Sequence, residues 1–157
     1  MRIIKTVMVF GMALFLTLAA LGNITMSDGA FGAVSTAVNM QGTFQHPNAM
    51  WRAIESPALV WVSLCVIVIF EILGAVLCWM GTVKMWQGRN STEAFKAAKE
   101  KAMLGLGVTA CLYFIGFLVI AQEFFLMWQN SQLNVLPDAF RIFATAMLIG
   151  LWLAQDD

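Results

Sequence analysis

Apolar residues arrive along this chain in four long blocks, covering about residues 5–22, 58–80, 103–127 and 139–154. Each is close to the roughly 20 residues that an α-helix needs to cross the hydrocarbon of a bilayer. Polar positions inside the blocks are few and do not form the broad polar face of a helix lying on a soluble core. The pattern predicts an all-α protein: a single integral membrane domain, residues 1–157, built as a four-helix transmembrane bundle. Composition agrees, with 61% hydrophobic and only 11% charged residues and a mean hydropathy of +0.80. A soluble domain carries about a quarter charged residues.

The distribution of Lys and Arg orients the bundle. Arg2 and Lys5 flank the first block. The stretch 81–102 holds Lys84, Arg89, Lys96, Lys99 and Lys101 against Glu93 and Glu100. The other two connections contribute only Arg52, with Arg141 just inside the fourth block. Positive residues collect on the cytoplasmic side, so the expected topology is N-in/C-in. Trp51, Trp61 and Trp128 then fall near the outer boundary, and Trp79, Trp86 and Trp152 near the inner one, as an aromatic belt requires. The expected location is a bacterial inner membrane, crossed several times. An alternative remains open for the first block: Arg2, Lys5, the apolar run and LAALG also fit a cleavable secretory signal.

The first outer connection, 22–57, is long and periplasmic in this topology. Asp28 is placed to cap a helix using Phe31, Val34 and Val38, and AMWRAIES puts Trp51 and Ile54 on one face. Both read as short interfacial helices. On the inner side, Asn90 with Glu93 reads as a capping box. It opens a helix expected to run unbroken into the third span.

The inventory argues against an enzyme. One histidine, His46, excludes a bis-histidine haem within one chain. No His/Cys spacing suits zinc, and no Gly-rich loop precedes a helix to cradle phosphate. His46 with Met26, Met40 and Met50 is a soft-ligand set that could hold Cu(I), but methionines in so apolar a chain are first of all packing. Cys65, Cys78 and Cys111 all sit in apolar runs as packing thiols. No catalytic residue, metal or cofactor is expected.

The polar residues inside the spans say more. An ionised carboxylate at mid-membrane costs roughly 2.5 kcal/mol or more, so Glu71 must be neutral, paired or at work. At helical spacing it shares a face with Gly74 and Cys78, small groups that direct it toward protein. Thr109, Tyr113 or backbone are its expected partners. It is either a protonated structural group or an intramembrane proton or ion site. Gly105, Thr109, Gly116 and Glu123 line up as an interior stripe of the third span, and Arg141, Thr145 and Trp152 share a face of the fourth. Glu123 and Arg141 lie at the same depth near the outer boundary, which predicts a salt bridge between spans three and four.

GNIT at 22–25, MWRAIESPA at 50–58, the Glu71 helix with LCWMG, EFFLMWQNSQLN at 123–134 and AFR at 139–141 together resemble a family of small bacterial integral membrane proteins, domain of unknown function 2165. The likeness runs in order over nearly the whole chain. It departs at Met26-Ser27, at Phe124 and at Leu133-Asn134-Val135, all on the outer side. The resemblance implies four helices and no particular activity. The matching stretches gather an outer-face cluster of Asn23, Trp51, Arg52, Glu123, Trp128, Gln129, Asn134 and Arg141, suited to locking the loop onto the helices or to docking another protein.

The expected function is therefore non-enzymatic: protein–protein binding, as an accessory subunit of a membrane complex or an immunity-type protein against a membrane-active toxin. The alternative is a small homo-oligomeric proton-coupled transporter using Glu71. The expected partners are the lipid bilayer and another membrane or periplasmic protein, or a further copy of the chain, with no nucleic acid.

Overall fold

The structure, a computed structural model, describes residues 1–156. Among the described residues there are five α-helices: α1 (Arg2–Thr25), α2 (Ser27–Val38), α3 (Pro57–Gly88), α4 (Thr92–Cys111) and α5 (Leu136–Ala154). α4 runs on without a break into a π-helix, Leu112–Phe124, and single 3-10 turns occur at Met50–Arg52 and Met127–Gln129. Among the described residues there is no strand. Four helical stretches are long and apolar enough to cross a membrane: Arg2–Thr25, Pro57–Gly88, Thr92–Phe124 and Leu136–Ala154.

Both termini and the α3–α4 turn lie at one end. Arg2 Nη1 donates to the Arg89 carbonyl at 3.1 Å and Nη2 to Thr92 Oγ1 at 2.6 Å. Lys5 is only 2% exposed, and its Nζ donates to the carbonyls of Gln155 (2.8 Å) and Asp156 (3.3 Å). Lys99 Nζ reaches the same Gln155 carbonyl at 3.0 Å. A lysine buried in apolar surroundings needs such partners, and here the carbonyls of the two residues that follow α5 supply them.

α1 buries Val9, Met12, Ala13, Leu16 and Ala20, spaced as one helical face. It is thus a structural helix, fixed further by the Trp79 indole N–H donating to Thr17 Oγ1 at 3.0 Å. α3 and α4 pack closest, on small residues. A Cβ at Gly81 would stand 2.6 Å from the Ala102 amide nitrogen, and one at Gly105 2.6 Å from Cys78 Sγ. Helices in lipid associate by such close approach, because hydrocarbon offers no hydrophobic drive between them.

Several sequence expectations change. α3 runs past the expected end at residue 80 to Gly88, while α4 begins at Thr92 and continues into the third span as expected. The helix cap is Ser91, whose hydroxyl accepts from the Ala94 amide, and not Asn90 of the anticipated capping box. α2 forms where expected, but Asp28 lies in its first turn and caps nothing. Nor does α2 lie free on a membrane surface. It follows α1 after one non-helical residue, Met26, and packs beside the first half of α3, where the Phe31 and Trp61 rings are 4.9 Å apart. AMWRAIES gives only the 3-10 turn Met50–Arg52.

Candidate functional site

Between α2, the first half of α3, the π-helix and the start of α5 lies a cavity of about 510 Å³. Its walls are apolar: Ala33 and Val34 from α2, Val66 and Ile67 from α3, Phe117 and Ile120 from the π-helix. The polar groups that reach it are Asn23, Ser63, Glu71, Tyr113 and Asp138. Small-molecule sites share this make-up of roughly 300–1,000 Å³, mostly apolar with a few placed polar groups.

Glu71 forms the floor. It is 3% exposed and lies about 21 Å along α3 from Pro57 at 1.5 Å per residue. Asn23 Nδ2, at the far end of α1, donates to Glu71 Oε2 at 2.9 Å. The Tyr113 side chain, at the first turn of the π-helix, lines the same floor beside the carboxyl. The Tyr113 ring stacks on Phe117 at 5.3 Å, which fixes the phenol toward the floor. Of the partners anticipated for Glu71, Tyr113 is present and Thr109 is not: its hydroxyl donates to the Gly105 carbonyl one turn back. One turn below Glu71 the bundle closes. A Cβ at Gly74 would lie 3.1 Å from both Leu16 Cδ1 and Thr109 Oγ1.

The roof is a second small core. Ala37, Val38, Met40, Ala49, Val60, Phe125, Met127 and Leu136 are buried together there. Asn130, itself 5% exposed, ties this layer: Nδ2 donates to the Thr36 carbonyl at 3.0 Å, and Oδ1 accepts from the amides of Gln132 (2.9 Å) and Leu133 (3.1 Å). The chain passes out of the third span through Leu126, whose φ of 54° makes the tight reversal.

The anticipated outer-face cluster divides. Asn23 belongs to the cavity floor. Arg52 Nη1 faces the carbonyls of Glu123 (3.5 Å) and Phe124 (3.4 Å), a cation at a helix C-terminus. Its guanidinium also stands over the Trp51 and Phe124 rings, at 5.6 and 5.5 Å. Gln129 Oε1 accepts from the Phe44 amide at 3.3 Å, and Asn134 Oδ1 from the Leu136 amide at 3.1 Å at the start of α5. Trp51 and Trp128 leave their indoles largely exposed.

The Glu123–Arg141 salt bridge does not form. Arg141 pairs with Asp138 three residues earlier on α5, and Glu123 accepts from Gln122. The cause is the π-helix. Its hydrogen bonds span five residues, as in Phe125 N to Ile120 O at 3.1 Å, so each turn is wider than in an α-helix. Glu123 is therefore rotated out of the Gly105–Thr109 line and ends exposed. On α5 the line of Arg141 and Thr145 also faces outward, while Ala139, Ala146, Ile149 and Leu153 face the bundle.

Asn130, Ser63 and the Asn23–Glu71 link escaped sequence reasoning. Asn23 carried a signal, a lone amide in the last turn of an apolar span, but its partner is 48 residues away. Asn130 carried none beyond a polar residue in a polar loop.

Fold and site together define a small integral membrane protein with a cavity inside its helical bundle. The chain belongs to the family DUF2165, described as a predicted small integral membrane protein, whose model matches residues 1–156. No curated protein and no solved structure matches it.

Proposed function

We propose that this is a non-enzymatic binding protein of the bacterial inner membrane, with both termini cytoplasmic, whose ligand occupies the cavity above Glu71. One observation carries the reading: a roomy apolar cavity that ends on a carboxyl group held by an amide and next to a phenol. A purely structural acid would be enclosed on all sides, whereas Glu71 borders open space. The orientation rests on charge. Arg2, Lys5, Lys84, Arg89, Lys96, Lys99 and Lys101 lie toward the end of the molecule that holds both termini, and only Arg52 and Arg141 toward the other. The cavity then opens in the periplasmic half.

The test is binding of a neutral, polarity-sensitive fluorophore to the protein in nanodiscs. Ala33→Trp and Ala121→Trp, which fill the cavity from opposite walls, are expected to abolish binding while leaving helicity and melting unchanged. Filled variants that bind as well as the wild type would rule the cavity out.

A second reading has its own observation. Phe44, Trp51 and Trp128 are 74%, 72% and 52% exposed at the outer end, a composition that suits docking of another membrane or periplasmic protein. An accessory subunit and an immunity-type protein both fit it. A homo-oligomeric proton-coupled carrier would instead use Glu71 itself and would lose transport in Glu71→Gln.

A further inference from the structure

The polar groups that reach the cavity are acceptor-rich and carry no positive charge. Asn23, Ser63, Glu71, Tyr113 and Asp138 line it, and no Lys, Arg or His does. Of the two carboxylates, Asp138 already has a cation, Arg141. Glu71 has only the Asn23 amide and the Tyr113 phenol, both neutral. A buried carboxylate without a counter-charge is the costly arrangement, and a ligand that brings the missing cation removes that cost. An anionic head would find no cation in the lining to receive it, in surroundings that screen charge weakly.

The rest of the cavity sets the remainder of the ligand. Val34, Val66, Ile67, Phe117 and Ile120 offer hydrocarbon along its length. Val66 and Ile120 line the cavity yet stay 47% and 45% exposed, so it is not sealed along α3 and the π-helix, and a chain can enter there from the bilayer. We infer that the cavity takes a single-chain amphiphile with a cationic ammonium head, the head against Glu71 and the chain along these walls. This deepens the proposed function and rests on it.

The experiment is displacement of the neutral fluorophore in zwitterionic nanodiscs by dodecylamine, dodecanol and dodecyl sulfate at neutral pH. Dodecylamine is expected to displace it at about tenfold lower concentration than either of the others. In Glu71→Gln the preference should disappear, with the three displacing bound fluorophore within about twofold of one another. Ser63→Lys, which puts a cation on the wall away from the floor, should reverse the preference toward dodecyl sulfate. That variant keeps the test decisive if Glu71→Gln fails to fold. Equal displacement of the wild type by all three, or a preference that Ser63→Lys leaves unchanged, overturns the ammonium assignment while the cavity reading stands. Absence of fluorophore binding to the wild type overturns both.

Discussion

Asn130 donates to the Thr36 carbonyl and accepts from two amides of its own loop, so one side chain joins the end of α2 to the connection before α5. Nearly full burial makes each of these bonds hard to replace with water. Asn130→Ala leaves a carbonyl and two amides to find new partners, a cost of about 1–3 kcal/mol for a buried unsatisfied group. Arg141 offers the contrast. Its pair with Asp138 is 71% and 65% exposed and lies within one helix, so removing it should cost no more than about 1 kcal/mol. Ranking apparent melting temperatures in detergent checks both: Asn130→Ala should fall clearly, and Arg141→Ala should stay near the wild type. A larger loss in Arg141→Ala would mean that the cation has a partner other than Asp138. The sequence made the opposite ranking natural, because charge at matched depth is visible in it and an amide's partners across a loop are not.

At the level of elements, hydrophobic blocks give away the spans, since lipid demands length and apolarity and little else. What stays hidden is the geometry within a span. No residue between Leu112 and Phe124 announces a π-helix, for the run LYFIGFLVIAQEF is as apolar as its neighbours. That one departure displaced Glu123, while Tyr113, at its first turn, kept its expected place beside Glu71. Helix contact surfaces were legible only in part: Glu71, Gly74 and Cys78 do face protein, but Gly81 owes its importance to Ala102 on another helix. A Cβ there would collide with Ala102 backbone, which cannot rotate away. Gly107 on α4 has nothing within 4 Å of the same position. Gly81→Ala should therefore cost about 1–3 kcal/mol through separation of α3 from α4. Gly107→Ala should be neutral, or stabilising by up to about 1 kcal/mol from helix propensity. Chemical unfolding in mixed micelles compares them, and equal loss in both would show that the close approach is absent.

Across the whole molecule the two ends are built differently. Toward the termini the bundle is closed, with Gly81 and Gly105 drawing α3 and α4 together and Lys5 holding α1 to the end of α5. Toward the other end it is open, with α2 and the roof core standing over the cavity. Such a division lets the outer half rearrange around a ligand while the closed half keeps the helices in register, because local opening free energies differ across a structure. The clasp at Lys5 secures the end of α5 by holding the Gln155 and Asp156 carbonyls that follow it. Lys5→Met keeps the apolar length of the side chain and removes its donors, so it should free the end of α5 without disturbing the cavity. Hydrogen–deuterium exchange is expected to rise about tenfold or more around Trp152–Ala154, the equivalent of roughly 1.4 kcal/mol of lost protection. Exchange around Asn130 and binding of the neutral fluorophore should not change. If both regions loosen together, the two halves are one cooperative unit and the cavity cannot open independently. If neither does, the Lys5 clasp contributes nothing to holding the bundle shut.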